Sequence, residues 1–454
     1  MMKIYYTNDI HANYSFLKKV RYYLNQHMTK DDIYLDGGDF SDLKDLIIQC
    51  DKAYSAADLY DDIPLAAMAV GNGEIDLSHD ALIKLGTKLP LLSCNITDND
   101  GNRLDNIKPS LIIERMNARF LIIGISPFYS HKMEDNGYNV FSMMGNLKIN
   151  PPEDYIRHEL DINRNKYDYC LLLSHSGSNI ERYLLDKFKE IDFCLGGHSH
   201  EVINEEKLLQ TGMGEYLGVI TLELKNDSIT KTDSELVRLN DVEDICFDKK
   251  LNKKKEYADS LLSKELETVS DLTFNPYTES QLTNFICDAL LKKFNGDLAI
   301  MHAGISESPL LKPVSRKSLI ENFPSKLNPA IYKLKGINII EAVKLSFDKE
   351  HIRQSGRGPG FRGTVLGTLG FSHNVRITQV PFLITVNDET IEEEKEYTIV
   401  TDDYLQRGTG YPSLAVPNTQ VQYHIWFIRD LVQNYLNDSE VFESARIKRT
   451  DMSN

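Results

Sequence analysis

Two aspartates, four histidines and one asparagine sit in five short motifs: Asp9-Ile10-His11, Gly37-Gly38-Asp39, Gly71-Asn72, Ser174-His175-Ser176 and Gly197-His198-Ser199-His200. Each motif directly follows an apolar run. These residue types suit a pair of divalent ions such as Mn, Zn or Fe, which take mixed imidazole and oxygen ligands. Two ions ~3.5–4 Å apart share a bridging carboxylate, and a water between them deprotonates near neutral pH to become a nucleophile. Asp39 can bridge. Asp9, His11 and His200 can complete one shell, and Asn72, His175 and His198 the other. Taken alone, a His after a strand is an ordinary surface residue and a Gly-Asp is only a turn. The shared strand-end placement of all five motifs is what points to one site. His27, His79, His131 and His158 lack that setting and read as surface or structural.

The runs that must position these residues are KIYYT, DIYLD, AAMAVG, PLLSCNI, FLIIGI, YCLLLS and DFCLGG, which read as buried strands. SFLKKVRYYLNQ, DALIKLGTKL and NIERYLLDKFKE carry helical spacing between them. Strand–helix alternation predicts a layered α/β domain, and in such domains sites form beyond the carboxyl ends of strands. GEYLGVITLELKNDSIT and DSELVRL read as antiparallel strands closing this domain near residue 240. Residues 241–275 are charged and free of glycine, which predicts a connecting helix. A smaller α+β domain is expected over 276–454, with helices at SQLTNFICDALLKKF, INIIEAVKLSFD and QYHIWFIRDLVQNYL, strands at DLAIMHAG, FLITVN and EYTIVTD, and a loop RQSGRGPGFRG.

The 454 residues carry a formal net charge of -16. A field of that sign repels long nucleic acids and anionic lipid. No stretch is apolar over the ~18 residues that a spanning helix needs. The N-terminus lacks a signal core, and the six cysteines form no CxxC pair, so a cytoplasmic protein is expected. Within this acidic chain, residues 301–380 carry 12 basic and 5 acidic side chains. That stretch contains the Arg/Gly loop, the expected dock for a small anionic ligand, with Arg353, Arg357 and Arg362 as phosphate-pairing candidates.

TNDIHAN, LDGGD, AVGN, LLSHSG and GGHSH resemble the motif series of the calcineurin-like metallophosphoesterases. With HAGISES, ENFPSKLNP, KLKGINIIEAV and RGTGYPSL further on, the chain is similar over nearly its whole length to the 5′-nucleotidase / 2′,3′-cyclic phosphodiesterase family. The resemblance implies a four-layer α/β/β/α domain joined by a helix to a C-terminal nucleotide-recognising domain that stacks a base between aromatic rings and rotates to bring substrate to the metals. It implies the same two ligand sets, places Asn72 and Asp76 in the catalytic stretch, and makes Tyr404 a base-stacking candidate. The implied activity is hydrolysis of nucleotides or related phosphoesters.

Three positions depart from the family pattern. Gly73 stands where a catalytic His is usual beside Asn72, Ser306 where an Arg is usual, and Thr409 where an Asp is usual. Loss of a general acid is worth ~10²–10⁴ in rate. A slow enzyme, or one of altered specificity, is therefore expected. The alternative is a catalytically degenerate protein that binds metal and nucleotide. A nuclease is disfavoured by the charge. Glu74 is a candidate substitute for the missing His, and a Gly73→His change is expected to raise the rate if the scaffold is otherwise competent.

Overall fold

The computed structural model describes residues 1–129, 137–225, 228–358 and 360–451. The chain divides into two compact units, Met1–Ala258 and Asp259–Asn454.

The first unit is built on two six-stranded sheets. In one, Met2–Thr7, Ile33–Asp36, Leu65–Ala69 and Leu91–Leu92 run parallel, and the antiparallel pair Leu217–Lys225 and Ser228–Val237 extends the edge beside Met2–Thr7. In the other, Ala118–Ile125, Tyr169–Ser174, Phe193–Leu195 and Leu208–Thr211 run parallel, flanked by antiparallel Ser110–Arg115 and Val202–Asn204. Strands buried on both faces need continuous apolar sequence, which is why LLLS and FLIIGI do not alternate. Ile4, Leu35, Ala69, Phe120, Ile122, Leu173 and Leu195 form part of the core between the sheets. Each large side chain there contributes about 1.5–3 kcal/mol by leaving water. The second sheet's other face packs Ile123, Leu172 and Cys194 against Ile156, Leu160 and Leu184 of the helices Pro152–Ile162 and Ser178–Lys187. The helix Tyr14–His27 buries Phe16, Leu17, Val20 and Leu24, a spacing of one helical face, and the Asn13 side chain caps it by accepting from the Phe16 N–H.

The connecting helix is shorter than the residues 241–275 expected: it spans Ile245–Leu262. Asp244 starts it, accepting from the Phe247 N–H at 3.0 Å. Beyond it, Glu265–Leu266 pairs antiparallel with Val314–Ser315, a tertiary partner that overrides local helix propensity.

The second unit holds a five-stranded sheet in the order Leu369–Phe371, Leu298–His302, Glu396–Asp402, Pro329–Lys335, Gln422–Tyr423, and a smaller four-stranded one. The helix Gln281–Lys293 lies almost wholly buried from Leu282 to Leu290, with Ser280 as its cap. The last helix differs from expectation. Gln422–Tyr423 is a strand paired with Ala330 and Ile331, and only Ile428–Asn434 of that stretch is helical. Among the described residues no helix is long and apolar enough to cross a membrane.

Candidate metal centre

All five motifs lie at carboxyl ends of parallel strands, three from the first sheet and two from the second. Tight turns let them converge. Asp9, His11, Asp39, His198 and His200 all have positive φ, between 47° and 75°. Left-handed backbone costs about 1–2 kcal/mol for a residue with a Cβ. Asp and His tolerate it better than most, and five such residues in one place mark a constraint other than stability.

Asp9, Asp39 and His175 are buried, and His11 and His200 line the open side. Asp9 Oδ1 lies 3.3 Å from His200 Nε2, 3.6 Å from His11 Nε2 and 3.7 Å from His175 Nε2. Asp39 Oδ2 lies 3.4 Å from His175 Nε2 and 3.8 Å from His11 Nε2. Asn72 Oδ1 lies 2.8 Å from His198 Nδ1, and the His175 and His198 rings are 5.3 Å apart. The structure therefore brings all seven candidate ligands together, with donor atoms of Asp9, His11 and His200, and of Asp9, Asp39 and His175, each within 4.8 Å of one another.

The donor set fits a cation. Asp9 Oδ1 and His175 Nε2 are buried with no hydrogen-bond partner among the described residues. Their other atoms are anchored: Asp9 Oδ2 accepts from Asn8 Nδ2 and the His198 N–H, and His175 Nδ1 lies 2.6 Å from the Gly37 carbonyl. That contact directs Nε2 towards the carboxylates, the usual arrangement behind a metal-binding imidazole.

Three buried carboxylates other than the candidate ligands hold the turns; the sequence reading singled out Glu74, in another role, and missed Asp36 and Glu181. Asp36 accepts from the Thr7 hydroxyl and the Gly38 N–H, Glu181 from the Ser174 hydroxyl, the Gly197 N–H and Gln210, and Glu74 from the N–H groups of Asp39, Ser41 and Gly71 and the Ser41 hydroxyl. Burial raises Asp36 and Glu181 to about 7, against the donors that pull them down. Glycines make room: a Cβ on Gly38 would meet the Ala69 carbonyl at 2.6 Å, and one on Gly196 would meet Glu181 Oε2 at 2.1 Å. An acidic residue inside a motif, as with Asp36, was a usable signal. Glu181 lies on a helix and gave none.

Gly73 corrects the expectation for a restored histidine. Its N–H donates to Asp39 Oδ1 at 2.5 Å, and a Cβ there would meet the Ser41 carbonyl at 2.8 Å and Ser41 Oγ at 2.9 Å. Glu74, with four hydrogen bonds to satisfy, is not free to replace the histidine. Asp76 closes the short helix Asn72–Ile75 and is half-buried.

In the second unit, Arg353, Arg357 and Arg362 are exposed, and Arg353 lies over the Tyr277 ring at 5.3 Å. Pro359 of their loop lies outside the described residues, as does His131. Tyr404 is only 1% exposed and stacks on Phe361 at 4.9 Å and 29°. That closed pair leaves no room for a base between the rings, so Tyr404 can stack on one only if Phe361 moves aside. His302 completes the cluster, its ring 4.9 Å from Tyr404 and its Nε2 3.1 Å from Asp402 Oδ2. Ser306 Oγ donates to Asn322 Oδ1 at 2.7 Å, a loop-closing bond that gives no sign of a substrate contact.

The family model of the calcineurin-like phosphoesterases matches residues 2–202, and that of the 5′-nucleotidase C-terminal domain matches residues 262–415. The chain joins a calcineurin-like phosphoesterase domain to a 5′-nucleotidase C-terminal domain. The uncharacterized metallophosphoesterase YunD of Bacillus subtilis is 24% identical over 95% of this chain and 98% of its own. The NAD nucleotidase of Haemophilus influenzae superposes with a TM-score of 0.63 at 15% identity over 96% of both chains. A 5′-nucleotidase precursor from Thermus thermophilus gives 0.57 at 16% identity, over 100% of this chain and 97% of that one. At such identities the structural likeness establishes the fold. Calcineurin-like phosphoesterases use divalent metals, and the phosphoesterase domain carries candidate residues that could bind them.

The metal-free phosphoesterase domain has a defined proton inventory. Burial alone would lower the His175 pKa, but Asp39 and Asp9 outweigh it and raise it to about 10. Burial and the His175 cation push His198 down to about 4, so it is neutral and ready to bind. A metal must displace the His175 proton. Apparent metal affinity should therefore rise with pH by up to about tenfold per unit below pH 10. Calorimetry in buffers of different ionisation enthalpy should show proton release on metal uptake. Because the folded His175 pKa lies above the ordinary 6.5, the ion cluster stabilises the metal-free fold fully below pH 6.5 and loses that contribution as pH rises through about 10.

Proposed function

We propose that this chain is a hydrolase of small phosphoesters, nucleotides foremost, working with two divalent ions held by Asp9, His11, Asp39, Asn72, His175, His198 and His200. The observation that carries this reading is the unbonded, buried Asp9 Oδ1 facing three imidazole Nε2 atoms. Bound ions would neutralise phosphoryl charge and acidify a coordinated water. The chain's own contribution is preorganisation. The Gly73 N–H and the His198 N–H pin the outer oxygens of Asp39 and Asp9, the Gly37 carbonyl sets the His175 ring, and Glu74 braces the Asp39 turn. Charge on these groups is fixed before substrate arrives, which removes reorganisation from the reaction. The arginines of the 353–362 loop are the proposed anion contacts of the C-terminal domain. Six unpaired cysteines support a reducing compartment.

One observation favours the second reading, a binding protein without turnover: position 73 holds no catalytic side chain, and a Cβ there would meet Ser41. A screen separates the two. Protein loaded with Mn²⁺, Zn²⁺ or Fe²⁺ is assayed on an aryl phosphate, nucleoside monophosphates, cyclic nucleotides, dinucleotides and nucleotide sugars. Turnover of at least one class is expected. Tight metal and nucleotide binding with no turnover anywhere would establish the second reading instead.

A further inference from the structure

We propose that Gln210 and Thr211, neither of them a candidate ligand, are positioning residues that set the separation between Asp9 on the first sheet and His175, His198 and His200 on the second. This rests on the metal-dependent reading of the phosphoesterase domain. Gln210 and Thr211 end the strand Leu208–Thr211 of the second sheet. Successive side chains of a strand point to opposite faces. Leu209 lies in the core between the two sheets, and Leu208 in the core under the outer helices. Thr211 therefore faces the first sheet with Leu209, and Gln210 faces the helix Ser178–Lys187 with Leu208. Both are fully buried.

On the helix side the Gln210 amide is bonded at both ends. Nε2 donates to Glu181 Oε2 at 2.5 Å and to the Gly197 carbonyl at 3.4 Å, and Oε1 accepts from Ser199 Oγ at 2.6 Å. Ser199 lies between His198 and His200 in the chain. Glu181 Oε1 accepts from the Gly197 N–H at 3.1 Å and from the hydroxyl of Ser174, the residue before His175, at 2.9 Å. One amide thus holds the turns that present three imidazoles. Towards the first sheet, Thr211 donates twice to Asn8 Oδ1, from its N–H at 2.8 Å and its hydroxyl at 2.7 Å. Asn8 Nδ2 in turn donates to Asp9 Oδ2 at 2.7 Å and to the Gly212 carbonyl at 2.9 Å. Apolar packing between the sheets is non-directional and does not by itself fix a ligand distance. Hydrogen bonds constrain distance and angle, and here two covalent neighbours reach both sides of the site.

Gln210→Met keeps the length of the side chain and removes the amide. Mn²⁺ affinity, measured by calorimetry below the Tm of every variant, should fall about 10–100-fold, the size seen when the partners of metal-binding side chains are removed. Thr211→Val keeps the shape and the N–H bond to Asn8, so its loss should be smaller, about fivefold, the worth of one neutral hydrogen bond. Leu208→Val is the control: it loosens the same strand without touching these bonds, and should lower Tm while leaving Mn²⁺ affinity unchanged. Affinity that instead follows Tm across all three variants would overturn the positioning role. So would Gln210→Met and Thr211→Val proteins that bind Mn²⁺ as wild type does. Should Gln210→Met fail to fold, Thr211→Val against Leu208→Val decides between the same outcomes. If wild type binds Mn²⁺ yet turns nothing over, the affinity comparison still decides the point. If wild type binds no divalent ion, the metal-dependent reading falls and this proposal falls with it.

Discussion

Asp39→Asn is expected to abolish metal-dependent phosphoester hydrolysis, by more than ~10³-fold, with little change in fold. The side chain is 1% exposed, and its two oxygens have separate duties. Oδ1 accepts from the Gly73 N–H, which an asparagine oxygen can still do, while Oδ2 faces His175 and His11. Amidation removes the charge that would be shared between two ions and leaves the turn intact. It also removes the first carboxylate that raises His175, so in the metal-free variant that imidazole should titrate below the wild-type value of about 10. Circular dichroism, metal analysis and an NMR titration of His175 separate these effects. Asp39→Ala should do the same to activity and also lose the Gly73 contact. Retained activity in either variant would show that the reacting centre lies elsewhere.

Gly73→His is expected to lower thermal stability and leave the rate unimproved. A Cβ at position 73 would meet the Ser41 carbonyl at 2.8 Å and Asp39 Oδ1 at 3.1 Å. The backbone oxygen cannot swing aside as a side chain could. Overpacking of this kind costs about 1–3 kcal/mol, a Tm shift of about 2–10 °C for a unit of this size. The strain falls on the turn that presents Asp39 and on Glu74 beneath it, so metal affinity should drop as well. Gly73→Ala is the control, because it introduces the Cβ alone. A tenfold or greater gain in rate for the histidine variant would mean that the Ser41 segment yields easily and that only a side chain was missing. The measurement is differential scanning calorimetry beside steady-state kinetics on one aryl phosphate.

The sequence reading and the structure agree most closely in the phosphoesterase domain. Asp9, His11, Asp39, Asn72, His175, His198 and His200 were legible because each lies just past an apolar run, and parallel strands deliver their ends to one edge. The same reasoning did not reach Glu181, whose only neighbours in sequence are those of an amphipathic helix. In the C-terminal domain the arginines were chosen by type and Tyr404 by the family resemblance. Their state depends on packing: Tyr404 is closed against Phe361 and the arginines stand in solvent. The final helix was misjudged over 422–427 because strand pairing with residues 330 and 331 is a long-range contact that helical spacing cannot reveal.

By itself the sequence determined the strand–helix alternation, the candidate-ligand types and their common edge, since these follow from local periodicity and the chemistry of side chains. Only the tertiary structure decided what surrounds each ligand. Asp9 Oδ1 is left without a hydrogen bond while its other oxygen is pinned, His175 is aimed by a carbonyl 138 residues away in sequence, and the space beside Gly73 is taken by Ser41. Those outcomes depend on close packing between segments distant in sequence, where a few tenths of an ångström separate an open site from a filled one.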